Sequence, residues 1–250
     1  MTKTWLITGG ARGVGRELAK AALDSGDRVV ACAYHPEQLQ DLVAEYRDRV
    51  RAVALDVTNV DTVRAAVRTA VAEFGSLDVV VNIAGTAVPS LIEQTSAETF
   101  RAELETNLFG VVNVTKEALP ILRRQGSGHI VQFSSIGGRV GGTPGMAAYE
   151  TAKSAMEGFS EVLNNEVRPW GIKVIIIEPG VLHVGNEVGD EPADPVRAAT
   201  IITNLMRLDD PPLRLLLGSE AVALADESSR ARAAEAEKWA VVSRSADLFV

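Results

Sequence analysis

Short apolar runs alternate with longer segments of helical period along most of the chain. The apolar runs, which predict β-strands, cover residues 5–7, 29–33, 50–55, 77–81, 129–133 and 172–177. Between them, apolar residues recur at three- and four-residue spacing against charged ones, which predicts amphipathic helices. These helical segments cover residues 14–23, 36–46, 60–74, 97–122 and 147–167. Nearly continuous apolar strands are typical of a parallel sheet with helices on both faces. The order therefore predicts an α/β fold, a doubly wound and mostly parallel sheet of the Rossmann type.

The alternation breaks after residue 179. Residues 181–215 contain scattered Gly, Pro and acidic residues around the apolar patch 198–208, and we expect them to form a lid of a short helix and loops. Residues 213–217 predict a final strand, and residues 221–241 predict a closing surface helix. Since no linker, repeat or low-complexity tract interrupts the chain, we expect residues 1–250 to form a single domain.

Composition and charge exclude several classes of function. The 250 residues carry a net charge of −8, which argues against a nucleic-acid partner. The single cysteine, Cys32, rules out an internal disulfide and fits a reducing compartment. No apolar run approaches the roughly 20 residues of a membrane helix, and the opening MTKTWLITGG is too short in apolar residues for a secretory signal. We therefore expect a cytoplasmic protein with no membrane partner.

A glycine-rich turn, TGGARGVG at residues 8–15, directly follows the first predicted strand. Gly9 allows a tight turn, while Gly13 and Gly15 let a diphosphate approach the backbone at the start of a helix. There the free N–H groups and the helix dipole favour negative charge. The turn departs from the GxGxxG pattern because Leu18 occupies the third glycine position. A turn that serves packing alone is the alternative.

The segment YETAK places Tyr149 four residues before Lys153 inside a predicted helix. Residues four apart lie on one face of a helix, so both side chains can point into one pocket. A phenol alone loses its proton near pH 10, and a nearby ammonium lowers that pKa. The spacing suits proton transfer, although an ordinary surface helix would show the same spacing.

The glycine turn, a later NIAG turn and Tyr-x-x-x-Lys, in this order, resemble the short-chain dehydrogenase/reductase family from residue 4 to about residue 180. The resemblance implies a nicotinamide-dependent oxidoreductase that orients a hydride donor, stabilises an oxyanion and delivers a proton. We therefore expect an NADP(H)-dependent enzyme that interconverts a ketone or aldehyde and an alcohol. A catalytically idle dinucleotide-binding regulator on the same fold is the alternative.

The resemblance also implies catalytic roles. Tyr149 matches the general acid/base, and Lys153 matches the residue that lowers its pKa and bonds the nicotinamide ribose. Ser135, in FSSIGGRVGG, best matches the serine that holds the substrate oxygen, with Ser134 as the alternative. Asn107, in ETNLFGVVN, matches the asparagine that holds a water beside the lysine. A serine at a strand end is also a common turn former, and an asparagine within a helix often satisfies a local backbone group.

Cofactor contacts follow from the same resemblance. The residues expected to bind the dinucleotide are Gly9, Arg12, Gly13, Val14, Gly15, Tyr34, Asp56, Val57, Asn82, Ala84, Gly85, Tyr149, Lys153, Pro179 and Gly180. For Asp56, a simple helix cap is the alternative. Two positions depart from the family pattern: Ile83 replaces an asparagine, and Val184 stands where the family often has a threonine that touches the nicotinamide.

The second predicted strand bears on the choice between NADP(H) and NAD(H). An acidic residue at its end would bind the ribose 2′-hydroxyl and repel a 2′-phosphate, but Ala33 stands there. Arg12, in the glycine turn, can form charge-assisted bonds to a 2′-phosphate. Tyr34, by contrast, occupies a position where NADP-dependent relatives commonly have a second arginine. We predict NADP(H), and NAD(H) stays open.

The remaining expectations concern the substrate, metals and assembly. Apolar residues of the lid indicate either a hydrophobic small-molecule substrate or a lid core: Ile201, Ile202, Leu205 and Met206. The three histidines, His35, His129 and His183, lie far apart in sequence at no ligand spacing, so we expect no metal site. The family resemblance implies a homo-oligomer, a dimer or a tetramer, formed through the helices 97–122 and 147–167.

Overall fold

A computed structural model of the chain describes residues 2–180 and 194–247. The strands are β1 (Thr4–Ile7), β2 (Arg28–Ala33), β3 (Val50–Ala54), β4 (Val79–Asn82), β5 (Gly128–Phe133), β6 (Ile172–Pro179) and β7 (Arg214–Leu217). Within these described residues they form one parallel sheet in the order β3-β2-β1-β4-β5-β6-β7. In this register Leu6 of β1 lies opposite Val30 of β2 and Val80 of β4. The predicted doubly wound parallel sheet is confirmed.

Helices separate the strands. They are α1 (Gly13–Asp24), α2 (Gln40–Tyr46), α3 (Val60–Phe74), α4 (Ala97–Leu104), α5 (Gly110–Gln125), α6 (Ile136–Val140), α7 (Ala147–Val167), α8 (Pro195–Leu205) and α9 (Ser219–Arg244). The predicted helix 36–46 is divided, because Pro36–Leu39 forms a 3-10 turn before α2. The predicted helix 97–122 is also interrupted, by a π-helical turn at Glu105–Phe109 between α4 and α5.

The strands carry two apolar layers, one on each face of the sheet. Successive side chains of a strand point to opposite faces, so Trp5 and Ile7 enter one layer and Leu6 enters the other. The first layer is covered by α1, α2 and α8, and the second by α3, α5 and α7. Burial on both faces explains why the strands read as nearly continuous apolar runs.

The described part of the expected lid includes α8, which packs against α1. Ile202, Leu205 and Met206 are buried in the first apolar layer, whereas Ile201 is exposed. This packing supports the alternative that the apolar residues of this segment are core. Residues 181–193, which include His183 and Val184, lie outside the described residues.

The closing helix α9 contacts α6 and β7 near its amino terminus. Ala221 and Ala225 are its buried residues, and its later turns are exposed. Within residues 2–180 and 194–247, no helix has the length and apolar character needed to cross a membrane.

The topology locates a crevice. The chain leaves β1 towards β2 and β3 on one side, and later places β4 against the other side of β1. In open parallel sheets, ligands bind outside the carboxyl ends of the strands at such a reversal of strand order. The loops that follow β1 and β4 are therefore where a binding site is expected.

Candidate active site

Thr8 joins the ends of the two central strands. Its hydroxyl donates to the carbonyl of Val81 at 3.1 Å and accepts from the backbone N–H groups of Ile83 and Ala84 at 3.0 and 3.1 Å. The glycine turn after β1 and the NIAG turn after β4 are thereby held at a fixed separation.

The glycine turn leaves no room for side chains on its inner side. Gly9 has φ +69°, and a Cβ there would lie 3.1 Å from the Cα of Ala84. A Cβ on Gly15 would collide with the carbonyl of Gly9. Arg12, the residue before α1, forms no side-chain cap, so the first N–H groups of α1 keep their capacity to bind an anion.

Helix α7 presents Tyr149 and Lys153 on one face. The ammonium of Lys153 lies 5.6 Å from the centre of the Tyr149 ring. Lys153 is buried and donates to the carbonyl of Phe133, at the end of β5, at 2.7 Å. The two side chains therefore converge at the carboxyl edge of the sheet, as their spacing predicts.

The pKa of the Tyr149 phenol is raised, whereas the spacing of Tyr149 and Lys153 predicts that it is lowered. Burial lowers the pKa of Lys153 to about 8, although the carboxylates of Glu157 and Glu103 oppose this. Burial raises the pKa of Tyr149; contact with the Ser135 hydroxyl lowers it in part, and the nearby carboxylates raise it further. The pKa of the phenol is therefore raised in this structure, because desolvation outweighs the stabilisation expected from the ammonium.

The two adjacent serines have different surroundings. Ser135 caps the start of α6, where its hydroxyl accepts from the N–H of Gly137 at 3.1 Å, and it lies next to the Tyr149 phenol. Ser134 is buried and donates to the carboxylate of Glu157. The arrangement favours Ser135 as the hydroxyl that faces the cleft, while Ser134 serves packing.

Asn107 lies in the π-helical turn with its side-chain amide fully engaged. The amide nitrogen donates to the carbonyls of Thr86 and Glu103 at 2.8 and 3.0 Å, and the amide oxygen accepts from the N–H of Thr86 at 3.2 Å. A Cβ on Gly85 would collide with that oxygen, and would lie 3.8 Å from the ammonium of Lys153. Asn107 thus holds the loop after β4 beside the lysine, and it satisfies local backbone groups as well.

One basic side chain at the outer end of the cleft, that of Arg12, is exposed to solvent. Arg12 is exposed, and within residues 2–180 and 194–247 it forms no ion pair. Tyr34 is exposed beyond the end of β2, where Ala33 is buried. The carboxylate of Asp56 accepts from the N–H and the hydroxyl of Thr58 at 2.9 and 2.7 Å, so it acts as a local turn former.

Three expected contact residues have side chains directed into the protein. Val14 and Val57 are buried among apolar neighbours. Asn82 is buried, and its amide nitrogen donates to Gln132 at 2.9 Å. Because these side chains are packed inside the protein, the predicted contacts with a dinucleotide would fall to the backbone groups of these residues.

Pro179 ends β6 at the same edge of the sheet, and Gly180 follows it. The N–H of Gly180 donates to the carbonyl of Leu217 at 3.1 Å, and a Cβ on Gly180 would lie 2.8 Å from the carboxylate of Glu220. The turn expected beside the nicotinamide is therefore packed closely against the start of α9.

An ionic cluster behind the site was missed by the sequence reasoning. Arg214 of β7 pairs with Glu157 of α7 at 2.6 Å, with Glu161 at 2.7 Å and with Glu178 of β6. Glu178 is fully buried and also pairs with Arg139 at 3.1 Å. Glu178 directly precedes Pro179, and Glu157 is one turn beyond Lys153. The sequence offers one signal for this cluster: Glu178 is a single acidic residue directly after the apolar run 172–177.

The chain is similar to known proteins over most of its length. The family profile described as short chain dehydrogenase matches residues 3–192. A protein of Botryotinia fuckeliana (strain B05.10), named oxidoreductase BOA17, is 42% identical over an alignment 267 residues long that covers 96% of this chain and 97% of that protein.

Solved structures with the same fold are similar over nearly the whole chain. A short-chain dehydrogenase from Streptomyces avermitilis is 36% identical, with a TM-score of 0.94 over 99% of this chain and 100% of that one. A short chain dehydrogenase from Burkholderia cenocepacia J2315, in complex with NADP, is 27% identical, with a TM-score of 0.82 over 95% of this chain and 97% of that one.

Proposed function

The chain belongs to the short-chain dehydrogenase/reductase family of oxidoreductases, and from this premise we propose that it interconverts a ketone or aldehyde and an alcohol with NADP(H). One observation carries the proposal. Tyr149 and Lys153 share a face of α7, and Ser135 meets the phenol at the carboxyl edge of the same sheet that carries the glycine turn. These are the groups that polarise a carbonyl and move a proton.

The glycine turn has the features that a dinucleotide requires. Gly9 and Gly15 let the turn pack against Ala84 and against its own backbone, while no atom of the described residues lies near the Cβ position of Gly13. The uncapped N–H groups of α1 offer donors to a diphosphate there. Arg12 and Tyr34 would lie on the adenosine side, and Gly85, Pro179 and Gly180 towards the nicotinamide. The residues present therefore fit the group that the family implies.

Each side chain of the site has a separate task in the proposed reaction. When bound, the nicotinamide supplies or accepts the hydride. Ser135 donates a hydrogen bond to the substrate oxygen, and Tyr149 gives its phenol proton to that oxygen during reduction and takes it back during oxidation. Lys153, held by the Phe133 carbonyl, places a positive charge beside the phenol and favours its ionised form.

The preference for NADP(H) rests on charge at the outer end of the cleft. Ala33 supplies no carboxylate that would repel a 2′-phosphate, and the exposed Arg12 has its guanidinium open to solvent. The NADP-bound relative from Burkholderia cenocepacia supports the same preference. NAD(H) stays the alternative, since Tyr34 supplies no second positive charge.

Replacing the phenol hydroxyl tests the proposal. We expect Tyr149→Phe to lose turnover at least about a hundredfold, since general acid–base catalysis contributes factors of this order, while cofactor binding by fluorescence is retained. Tyr46→Phe is the matched control, because Tyr46 lies outside the site. Its hydroxyl donates to the carboxylate of Asp24 at 2.6 Å. A panel of carbonyls and alcohols followed by nicotinamide absorbance supplies the activity. NADP(H) binding without turnover of any substrate would instead support an idle dinucleotide-binding protein.

The substrate, the assembly and the location extend the proposal. A carbonyl or alcohol is the substrate class. Of the apolar residues that indicated a hydrophobic substrate, only Ile201 is exposed, so the hydrophobic character rests on that residue alone. A homodimer or homotetramer is the assembly that membership of the family favours. The buried, unpaired Cys32 supports a cytoplasmic location. Sedimentation of the purified protein and fractionation of the source cells test the last two points.

A further inference from the structure

Glu103 is a buried carboxylate at the inner end of α4, beside the site. Only 2% of its surface is exposed. One carboxylate oxygen accepts from the hydroxyl of Thr86 at 3.3 Å, and the other accepts from the amide of Asn107 at 3.2 Å. Glu103 therefore contacts both partners that hold the loop after β4 next to Lys153.

Three carboxylates act on the pair formed by Tyr149 and Lys153. On their own helix, Glu150 lies beside Tyr149 and Glu157 lies beside Lys153. From the facing helix α4, Glu103 acts on both members of the pair. Among these three carboxylates, it is the one whose charge acts on both the phenol and the ammonium.

The other two carboxylates are occupied elsewhere. Glu157 pairs with Arg214 and accepts from Ser134, while Glu150 accepts from the N–H of Thr143 at 3.2 Å. Glu103, by contrast, forms no ion pair with a lysine or arginine in the part of the chain that the structure describes. Its charge is therefore offset only by hydrogen bonds and by the field of Lys153.

Hydrogen bonding suits a carboxylate at this position. The Thr86 hydroxyl, the Asn107 amide and the backbone N–H of Val88 all donate to Glu103, and a carboxylate accepts at both of its oxygens. The same bonds hold its negative charge where it acts on the phenol of Tyr149 and the ammonium of Lys153.

We propose that Glu103 is a positioning residue that holds Asn107 in place and supplies the negative charge that retains protons on Tyr149 and Lys153. This inference rests on the proposed function, in which Tyr149 exchanges a proton with the substrate. Because the negative charge favours the protonated phenol and ammonium, it sets the pH range in which the site can give a proton rather than accept one.

The test removes the charge and keeps the shape. In Glu103→Gln we expect the ionisation constant of Tyr149 to rise about threefold or more, on the order of half a pH unit. Ultraviolet absorbance of tyrosinate measures this ionisation constant in the protein without cofactor. Subtracting the titration of Tyr149→Phe removes the signals of the other tyrosines. Glu105→Gln, the same change at an exposed position of the neighbouring turn, should leave the titration unchanged.

Turnover supplies the second readout. The pH profiles of reduction and oxidation should both move to lower pH in Glu103→Gln, because both depend on the phenol proton. A profile and a titration that match wild type, or an equal shift in Glu105→Gln, would overturn the inference. A shifted titration in a protein that turns over no carbonyl would keep the inference and defeat the proposed function.

A measurement on the unaltered protein covers the case in which Glu103→Gln does not fold. The carboxyl carbon of Glu103, followed by isotope-labelled NMR, should titrate above the ordinary glutamate range, since burial raises its pKa. The ring signals of Tyr149 should respond at the same pH. Ring signals that ignore the titration of Glu103 would contradict the inference.

Discussion

The ammonium of Lys153 donates a hydrogen bond of 2.7 Å to the backbone carbonyl of Phe133. This contact joins α7 to the end of β5, where the chain continues into Ser134 and Ser135. The lysine is therefore fixed by the sheet itself, and the position of its charge does not depend on a flexible loop. The same contact keeps a positive charge inside the protein, which has a cost that can be measured.

Replacing Lys153 with Met should change how stability depends on pH. The pKa of Lys153 is lowered by burial from 10.5 to about 8. Below pH 8 the lysine is therefore protonated in both the folded and the unfolded chain, and folding bears the full free-energy cost of burying its charge. Between pH 8 and 10.5 the folded chain loses the proton first. Over this window the wild type should gain up to about 3 kcal/mol relative to Lys153→Met. Urea unfolding at a series of pH values measures the difference.

Lys116, an exposed lysine on α5, is the control for this experiment. Lys116→Met should show no change in its stability difference from wild type across the same pH range. A constant difference for Lys153→Met would show that the ammonium is not buried in the folded protein.

Gly15→Ala should disrupt the glycine turn. The new Cβ would collide with the carbonyl of Gly9, a backbone atom that cannot rotate away. We expect a loss of about 1–3 kcal/mol of unfolding free energy and a loss of NADP(H) binding of tenfold or more. Calorimetric melting and fluorescence titration with NADPH measure the two effects.

Gly158→Ala serves as the matched comparison. Gly158 lies within α7 and has no atom near its missing Cβ, so alanine should stabilise the helix by about 0.5–1 kcal/mol. If both variants changed stability alike, the close approach at Gly15 would not be the cause.

Arg214→Met should be strongly destabilising. It removes the guanidinium shared by Glu157 and Glu178, two buried carboxylates, and breaking a buried ion pair from one side costs about 3–5 kcal/mol. The pKa of Glu157 is already raised, chiefly by burial, so mild acid should protonate its carboxylate. The difference in unfolding free energy between Arg214→Met and wild type should then become smaller. Chemical unfolding at two pH values measures this.

The exposed pair of Arg230 and Asp226 on α9 gives the contrast. Arg230→Met should change stability by no more than about 0.5 kcal/mol. A similarly small effect for Arg214→Met would mean that its carboxylate partners are hydrated.

Arg12→Ala should change the choice of cofactor. A charge-assisted bond to a 2′-phosphate contributes about 1.5–3 kcal/mol, so KM for NADPH should rise at least about tenfold while KM for NADH stays nearly constant. Arg68→Ala, at an exposed position of α3, controls for the loss of one surface charge. Equal effects on both cofactors, or a wild type that prefers NADH, would defeat the NADP(H) proposal.

Much of the fold could be predicted from local patterns in the sequence. The apolar runs give the strands because each strand is covered on both faces, and the spacing of Tyr149 and Lys153 brings both to one site because α7 is regular. Glu103 could not be found this way, since a glutamate in an amphipathic helix is normally solvated. Arg214 and Glu178 meet only through the pairing of β6 with β7, which no local pattern records.

The turn at Glu105–Phe109 has a consequence for the length of the chain. A π-helical turn holds one more residue than an α-helical one, and each residue of a helix advances by about 100° around the axis. Deleting one residue there would convert the wide turn into an α-helical one and would leave Ala97–Leu104 in phase with Gly110–Gln125. A deletion inside Ala97–Leu104 has no such compensation, because it would rotate the residues before it by about 100° relative to those after it. The wide turn is therefore the place in this long helix where the loss of one residue other than Asn107 should be tolerated.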